Sequence, residues 1–521
     1  MTVRRIGWTI AAVLLAVSAG CGKSVSTSGS EGGGTGAAPT NLVTTTPAAA
    51  GSVDKITWAL YRDPNSLDPI YAFDYPENTV ITAMCDSMLR QQPDGSVSTL
   101  VFTIHAGATF WDGKPVTAQD IVYSLERNTD TSLGGFYPQV FTRVASITAT
   151  SGDVVTIKLK QPDYWLAGEL SSMPGIVLEK AYVERQGKDF GTPKGGTMCS
   201  GPFKLSSWHT GDVLSVVAND AYWDTALRPQ TRQIDFKGVP DEGTLTSGFL
   251  TGEIDGGYTL SISTLDQLKA SDKLNVFEGP SYASDAFIVS SFKGVLGDAR
   301  VRQALSLAVD RQGYINSVYR GAAQLPRALA NPGTWGYGRD VFQQAWNALP
   351  EPTPDLAKAK QLIKDAGAEG KPVVLGTSGE INSLATAAEA LRSAAVSIGL
   401  KPSLKSVSAQ NYINFFVDAK ARQGVDGFFT VNYPDYADPS GLYGTLAVPG
   451  GSQNYAGYNN PQVTQLFDEA RTTADPDQRA QKVAQAQAII SQELPWIPMS
   501  DPYSLLVMNK RITGAPASFV Y

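Results

Sequence analysis

A short acidic and aromatic segment in the last fifth of the sequence carries the side chains best suited to bind a solute. Asp435 lies between Tyr433 and Tyr436 in the stretch NYPDYADP. A carboxylate flanked by aromatic rings can bind an ammonium group through a charge-assisted hydrogen bond and a cation–π contact. Asp438 precedes Pro439, a pair typical of a helix start, so we assign Asp438 to capping. A solvated turn is the alternative for Asp435, and the two tyrosines favour binding.

Catalytic groups are poorly represented. The sequence contains two histidines, His105 and His209, and no G-x-S-x-G motif that would identify a hydrolase nucleophile. Ser290 and Lys293 form an S-x-x-K pattern, but the S-D-N and K-T-G patterns that accompany it in penicillin-interacting enzymes are missing. A serine acyl hydrolase using Ser290 and Lys293 is therefore the weaker hypothesis, and we expect no enzymatic activity.

Metal and cofactor sites have equally little support. The sequence has no C-x-x-C motif and no closely spaced histidine pair, and residues 435–441 lack the ligand pattern of a calcium loop. We predict neither a bound metal nor a cofactor.

The charge balance favours small solutes over polyanions as partners. The 521 residues include 42 Lys and Arg against 49 Asp and Glu, a net charge of −7, without a basic run. Nucleic acids and anionic membrane surfaces bind to clustered basic residues, so neither is expected to bind here. The chain is long enough for several domains with large cores.

The segment that positions Asp435 alternates between strand-like and helical patterns. The stretches follow in the order strand, helix, strand, helix, strand over residues 372–377, 382–398, 402–407, 411–421 and 426–431. A β-α-β-α-β unit builds a parallel sheet, and ligands of open parallel sheets bind beyond the carboxyl ends of the strands. Asp435 follows the last strand and is therefore expected at the binding edge.

The first fifty residues have the pattern of an export signal and a tether. Two arginines precede an apolar run, residues 6–17, that is too short to span a bilayer, and small residues then lead into Cys21. This indicates a lipoprotein signal peptide over residues 1–21 with a lipid on Cys21; an ordinary secretory peptide is the alternative. Residues 22–52, rich in Ser, Thr, Gly, Ala and Pro, are predicted to form a flexible linker.

Two cysteines remain in the exported part, Cys85 and Cys199. An even pair in an oxidising compartment favours a disulfide. Two buried free thiols are the alternative, because spacing along the chain does not show that the side chains are close.

Residues 102–127 combine a strand, a tight turn and a capped helix. Phe102 and Ile104 alternate with polar or small residues, the Asp-Gly pair at 112–113 predicts a turn, and Thr117 with Asp120 forms a capping-box pattern.

This segment resembles the signature of the family 5 extracellular solute-binding proteins, the peptide-binding lipoproteins of ABC importers. Further motifs of that family are matched from about Lys55 onward, at Ser66-Leu67-Asp68-Pro69, Ser200-Gly201-Pro202-Phe203, Asn219-Asp220-Ala221-Tyr222-Trp223, Val301-Arg302-Gln303-Ala304 and Asp310-Arg311. The resemblance implies an α/β fold, a two-lobed periplasmic-binding-protein-like clamp of type II with an extra subdomain inserted in lobe 1. The implied bounds are 53–280 for lobe 1, about 78–197 for the inserted subdomain, 281–495 for lobe 2, and 496–521 for a return to lobe 1.

The resemblance also implies a function. Family members capture peptides in an interlobe cleft and deliver them to the permease subunits of an ABC importer, and Asp435 matches the aspartate that pairs with the peptide α-ammonium in peptide-binding members. We therefore expect a monomeric, exported, lipid-anchored protein at the outer face of the cytoplasmic membrane. The predicted ligand-binding residues are Asp435, Tyr433, Tyr436, Asn432, Tyr282 and Leu67.

Two departures from the family pattern bear on the cargo and the fold. Members that prefer dipeptides carry an arginine for the α-carboxylate where this chain has Ser383-Leu384-Ala385-Thr386, which argues against strict dipeptide recognition. A non-peptide solute (an oligosaccharide, a metal chelate or haem) is the alternative cargo. Before Leu100 the family has a longer stretch containing P-x-L-A-x-x-W, which is missing here, so one strand or hairpin is expected to be absent.

Overall fold

The computed structural model describes residues 42–89, 104–259, 263–379 and 382–518. The predicted signal peptide with Cys21, most of the predicted linker, the shortened stretch before Leu100, and Phe102 lie outside the described residues.

The strands within the described residues, in chain order, are β1 (Val53–Leu60), β2 (Val144–Ala149), β3 (Val155–Leu159), β4 (Phe203–His209), β5 (Val213–Ala218), β6 (Thr231–Gly238), β7 (Gly256–Thr259), β8 (Leu274–Gly279), β9 (Ser284–Val289), β10 (Ala323–Gln324), β11 (Pro372–Thr377), β12 (Lys401–Ser406), β13 (Gly427–Asn432), β14 (Trp496–Pro502) and β15 (Ser504–Asn509).

The α-helices are α1 (Tyr75–Met84), α2 (Ala118–Thr129), α3 (Leu166–Glu169), α4 (Lys180–Gln186), α5 (Glu242–Thr251), α6 (Leu265–Lys269), α7 (Ala299–Ala308), α8 (Arg311–Tyr319), α9 (Arg339–Ala348), α10 (Leu356–Asp365), α11 (Asn382–Ser397), α12 (Ala409–Tyr412), α13 (Asn414–Val417), α14 (Pro439–Leu446), α15 (Pro461–Thr472) and α16 (Pro476–Glu493). None of the helices in the described ranges combines the length and the apolar character needed to cross a bilayer.

Two large mixed sheets organise the described part of the chain, one in each lobe. The seven-stranded sheet has the order β4-β5-β6-β1-β7-β15-β8 and, with the β2-β3 hairpin and helices α1 to α6, forms what we call the first lobe. The six-stranded sheet has the order β10-β14-β9-β13-β11-β12 and, with helices α7 to α16, forms the second lobe. The chain is thus an α/β protein with two lobes.

The chain crosses between the two sheets through short connections. One runs from β8 to β9 over residues 280–283, and the other is the single residue Tyr503 between β14 and β15. The expected return to the first lobe from Trp496 is wrong for its first strand, because β14 pairs antiparallel with β9 in the second sheet and is buried along its whole length. The return begins with β15, which pairs with β7 and β8.

The β-α-β-α-β unit is present, with β11 parallel to both β12 and β13. The predicted helix over 411–421 is instead two short helices, α12 and α13, the second of which ends at Val417. Arg422 donates hydrogen bonds from Nη1 to the carbonyl oxygens of Phe415 (2.7 Å) and Phe416 (3.3 Å). These bonds satisfy carbonyls that further helical turns would otherwise bind.

The predicted linker is too long at its C-terminal end. Leu42 packs against the first-lobe core, and the backbone amide of Val43 donates to the carbonyl of Glu278 at 2.9 Å. The hydroxyl of Thr46 donates to the carbonyl of Ala515 at 2.8 Å. Apolar contact and backbone pairing therefore hold these residues against the globular body.

A disulfide joins Cys85 and Cys199, as the even pair predicted. Their Cα atoms are 4.9 Å apart, and both residues are buried. The bond ties the end of α1 to the segment before β4, across 114 residues of sequence.

Candidate functional site

A cavity of about 1710 Å³ lies between the lobes and is lined by residues of both. Tyr61, Asp74 and Glu169 contribute from the first lobe, and Tyr433 and Asp435 from the second. Pockets for drug-sized molecules commonly measure about 300–1,000 Å³, so this cleft has room for a larger solute.

The last residue of β13 and the loop after it place four of the predicted residues in the cavity wall: Asn432, Tyr433, Asp435 and Tyr436. Asn432 and Gln453 exchange side-chain amide hydrogen bonds of 3.2 and 3.3 Å, which fix the start of the loop. Asp438 accepts from the amide of Ser440 at 2.7 Å and caps α14, the structural role expected for it.

Tyr436 crosses the cleft and packs on the first lobe. Its ring lies over Gly168 of α3, where an added Cβ would be 2.3 Å from Cδ2 of the ring. Its hydroxyl donates to Oε1 of Glu169 at 3.2 Å. The close approach requires glycine at position 168, because any larger residue would meet the ring.

Glu169 is a cavity-lining carboxylate that the sequence did not single out. Burial and, next, the nearby charge of Asp435 raise the pKa of Glu169 to about 8, while Arg471 acts in the opposite direction. At neutral pH this group is therefore mostly protonated in the structure described here.

A second set of contacts joins the lobes beside the cavity. Arg471 of α15 donates to both carboxylate oxygens of Asp163, at 2.7 Å from Nε and 2.6 Å from Nη2, and the Asp163 side chain is 0% exposed. Arg143 donates to Asp468 at 2.8 Å. The backbone amide of Tyr164 donates to the carbonyl of Arg471 at 2.9 Å. Charge pairing and a backbone bond thus connect the lobes.

Trp165 extends this contact into the second lobe. Although it belongs to the first lobe, it is part of the second lobe's hydrophobic core, with its ring centroid 6.2 Å from that of Phe467. The guanidinium of Arg471 lies 5.3 Å from the Trp165 ring centroid. Tyr433 does the reverse and packs from the second lobe against the first-lobe core.

On the opposite wall, Arg62 is held by two carboxylates. It donates to Asp74 at 2.6 Å and to Glu77 at 2.7 and 2.9 Å. The Tyr61 hydroxyl also donates to Asp74. This cation is therefore already neutralised within the first lobe.

The cavity is acidic. Among the described residues that line it, seven acidic side chains stand against two basic ones, namely Asp63, Asp74, Glu169, Asp241, Glu242, Asp435 and Asp468 against Arg62 and Arg471. Both guanidinium groups form ion pairs within the protein. The start of α11, where dipeptide binders would place an arginine, presents Ser383 and Leu384 to the cavity.

Two predicted ligand residues lie elsewhere. Leu67 is completely buried in the first-lobe core, next to Asp68, which forms a bidentate ion pair with Arg127 at 2.8 and 2.7 Å. Tyr282 is buried in the connection between β8 and β9. Neither residue lines the cavity. Leu67 packs inside the first lobe, and Tyr282 is buried in the connection between the two sheets.

The S-x-x-K pair does not form a reactive arrangement. The Ser290 hydroxyl is buried and donates to the carbonyl of Val425 at 2.6 Å, whereas Lys293 is exposed. Neither residue lines the cavity.

No sequence pattern identified four of the residues found at the cavity or between the lobes, namely Asp163, Trp165, Glu169 and Arg471. The Tyr436–Glu169 contact joins residues 267 positions apart, and the Arg471–Asp163 pair joins residues 308 positions apart. No local pattern reports contacts of that range.

Known proteins resemble this chain over most of its length. The model of "Bacterial extracellular solute-binding proteins, family 5 Middle" matches residues 79–454. The probable D,D-dipeptide-binding periplasmic protein DdpA of Escherichia coli K12 is 25% identical over 509 residues, covering 91% of this chain and 94% of the relative.

Solved structures share the fold. The DppA protein of Helicobacter pylori in complex with the peptide STSA has a TM-score of 0.78 at 18% identity, covering 90% of this chain and 96% of that one. AgaA of A. tumefacien R10 in complex with agropinic acid has a TM-score of 0.75 at 19% identity, covering 88% and 93%. With the family model matched over most of the sequence, this chain belongs to the family 5 bacterial extracellular solute-binding proteins.

Proposed function

We propose that this protein captures peptides in the interlobe cleft by their free amino terminus and delivers them to the permease of an ABC importer. The observation that carries the proposal is the position of Asp435, at the carboxyl end of β13 and on the wall of an acidic cavity, between two tyrosines. An ammonium group there gains a charge-assisted hydrogen bond in a partly desolvated site. The relatives and the fold neighbour named for peptides support this choice.

We propose that the protein binds the carboxyl end of the peptide only weakly. Neither cavity-lining guanidinium is spare, because Arg62 and Arg471 are engaged by protein carboxylates. Among the described residues, the cavity wall therefore offers no guanidinium that is available for the carboxylate of a dipeptide. The cleft volume instead suits longer peptides whose carboxyl end lies away from Asp435.

The cellular setting follows from the sequence. We propose an exported, monomeric lipoprotein, tethered by a lipid on Cys21 at the outer face of the cytoplasmic membrane. In this role the chain binds its cargo without covalent chemistry. A ligand that binds the closed form more tightly than the open form shifts the equilibrium toward the closed form, and no further step is needed.

A non-peptide solute is the second candidate. The structural match to AgaA in complex with agropinic acid supports this candidate, because the same fold binds a small non-peptide molecule in that protein. An oligosaccharide, a metal chelate or haem belongs to the same alternative.

Two measurements test the proposal. One is calorimetric titration of the mature protein with a mixed peptide library, and the other is native mass spectrometry of the ligand that the protein retains when purified from its own cell envelope. We expect binding that Asp435→Ala weakens by about 1.5–3 kcal/mol, the usual range for a hydrogen bond to a charged group. Asp418→Ala, which removes an exposed carboxylate of the same lobe, is the control. Peptide affinity that survives Asp435→Ala, or retention of a non-peptide solute, would contradict the proposal.

A further inference from the structure

Glu169 and Asp435 reach the same region of the cavity from opposite lobes. Glu169 ends α3 of the first lobe, and Asp435 follows β13 of the second. Both line the cavity, and Tyr436, the residue next to Asp435, donates its hydroxyl to Glu169 at 3.2 Å. The charge of Asp435 also acts on Glu169, so the two carboxylates lie in the same part of the cavity, where the lobes meet.

The charges around them leave an excess of carboxylate. Arg471 is the nearby cation, and its guanidinium makes two hydrogen bonds to Asp163, whose side chain is 0% exposed. The guanidinium of Arg471 is thus engaged by Asp163, while the charges of Asp435 and Asp163 both disfavour ionisation of Glu169. When Glu169 is ionised, a further positive charge is needed to balance the site, because like charges close together repel in a partly desolvated cleft.

We propose that Glu169 is a second anionic residue for the ligand ammonium, so that one cation is held between Asp435 of the second lobe and Glu169 of the first. This inference rests on the peptide-binding function proposed above and narrows its ligand class to peptides with a free, positively charged amino end. A cation in that position contacts both lobes at once. It therefore binds the closed form better than the open form and draws the lobes together.

The protonation of Glu169 links this site to pH. The charged and titratable groups that face it are Asp435 and Tyr436 from the loop after β13, Arg471 from α15, Asp163 before α3, and Tyr137. Burial and Asp435 raise the pKa of Glu169 to about 8. A bound ammonium favours the ionised carboxylate, lowers that pKa and releases a proton, so affinity is expected to rise between about pH 6 and pH 7.5, where an α-ammonium is still largely charged.

The test uses two libraries of tetrapeptide amides, one with free amino termini and one N-acetylated. Titration calorimetry at pH 6.0 and 7.5, in buffers of different ionisation enthalpy, measures apparent affinity and proton release for the wild type, Glu169→Gln and Glu169→Asp. Glu184→Gln is the matched control, because Glu184 is an exposed carboxylate of α4 in the same lobe, outside the cavity.

We expect Glu169→Gln to bind the free-amine library at least about tenfold more weakly at pH 7.5, the effect of losing one hydrogen bond to a charged group. Proton release should disappear in this variant and persist in Glu169→Asp, and Glu184→Gln should match the wild type. Binding of the acetylated library should change little.

Wild-type affinity and an unchanged pH profile in Glu169→Gln would overturn the inference and leave the peptide function standing. An equal loss for both libraries would also overturn it, because a structural role affects both alike. A wild-type protein that binds neither library would overturn the peptide function and this inference with it.

Discussion

Asp501 is a buried carboxylate whose ionisation affects the stability of the folded protein. It lies on β14 with 1% of its surface exposed and accepts a hydrogen bond from the Ser284 hydroxyl at 3.1 Å. Burial, together with the neighbouring charge of Asp285, holds the pKa of Asp501 well above its usual range. The ionised form is therefore disfavoured in the native state.

Asp501→Asn should stabilise the protein at neutral pH. Because the folded pKa is raised, the native state is favoured most when Asp501 is protonated, and this advantage is lost as pH rises from about 3.9, the unfolded value, through the folded pKa. The uncharged amide avoids that loss, so the melting temperature of the variant should exceed that of the wild type by about 1–3 °C at pH 8 and converge with it toward pH 4. Asp272→Asn, at an exposed position, serves as the control. A pH-independent difference would contradict the assignment.

At the residue scale, a local pattern predicted where Asp435 lies in the fold, and its role in binding stays a prediction. Asp435 was identified by its place after the last strand of the β-α-β-α-β unit, and the structure puts it on the cavity wall. Leu67 belongs to a motif whose role here is to support the Asp68–Arg127 ion pair. Glu169 had no such pattern, because its neighbours come from the other lobe.

At the scale of elements, α3 fits the second lobe only because Gly168 lacks a side chain. In Gly168→Ala, the added Cβ would lie 2.3 Å from the Tyr436 ring, which must then move away. We expect this overpacking to disfavour the closed form by about 1–3 kcal/mol and to weaken ligand binding correspondingly, with little change in the melting temperature.

Gly152→Ala provides the matched control for that prediction. Gly152 lies in the turn between β2 and β3 of the same lobe, and an added Cβ there meets nothing within 4 Å. Calorimetric titration of both variants should separate a steric effect at the contact from a general glycine effect. Equal affinities for the two variants would contradict a steric role for position 168.

The disulfide should contribute strongly to stability. It closes 114 residues and lies in the first-lobe core, and a crosslink over a loop of that length removes unfolded-state entropy worth about 4–5 kcal/mol in the chain-entropy model. The double variant Cys85→Ser, Cys199→Ser should therefore unfold at clearly lower denaturant concentration. Phe236→Leu, in the same core but outside the crosslinked loop, is a control for loss of packing. A double variant as stable as the wild type would contradict the prediction.

Local signals predicted several element boundaries correctly. The Thr117–Asp120 capping box opens α2, and the Asp438–Pro439 pair opens α14. The incorrectly predicted boundaries, the end of the linker and the end of the helix over 411–421, depend on contacts that are distant in sequence or are made by a single side chain. Val43 pairs with Glu278, Thr44 and Thr46 bond to residues 515–518, and Arg422 satisfies the carbonyls at which α13 ends.

At the scale of the whole molecule, Arg471 is the main charged contact between the lobes. Arg471→Met keeps most of the aliphatic stem but leaves Asp163 without its bidentate partner in a position that is 0% exposed in the closed form. Removing one partner of a buried pair typically costs about 3–5 kcal/mol. Opening restores hydration to Asp163, so the ligand-free variant should show a larger radius of gyration by small-angle scattering and weaker ligand affinity.

Lys482→Met is the control for that experiment. Lys482 pairs with Glu469 between α16 and α15, within the second lobe, with both side chains partly exposed. Such surface pairs are worth about 0–1 kcal/mol, so scattering from this variant should match the wild type. An Arg471→Met protein that scatters like the wild type would exclude a role for the pair in closure.

The position of Trp165 has a consequence for the heat of ligand binding. This side chain belongs to the first lobe by sequence and to the second lobe's core by packing, while Tyr433 is placed in the opposite sense. Opening of the protein therefore hydrates the apolar surface of these two rings that packs against the opposite lobe, in addition to any surface that the ligand covers. The negative heat-capacity change on binding should accordingly exceed the value calculated from the ligand's own buried area, and the excess measures the apolar area that the lobes bury against each other on closing.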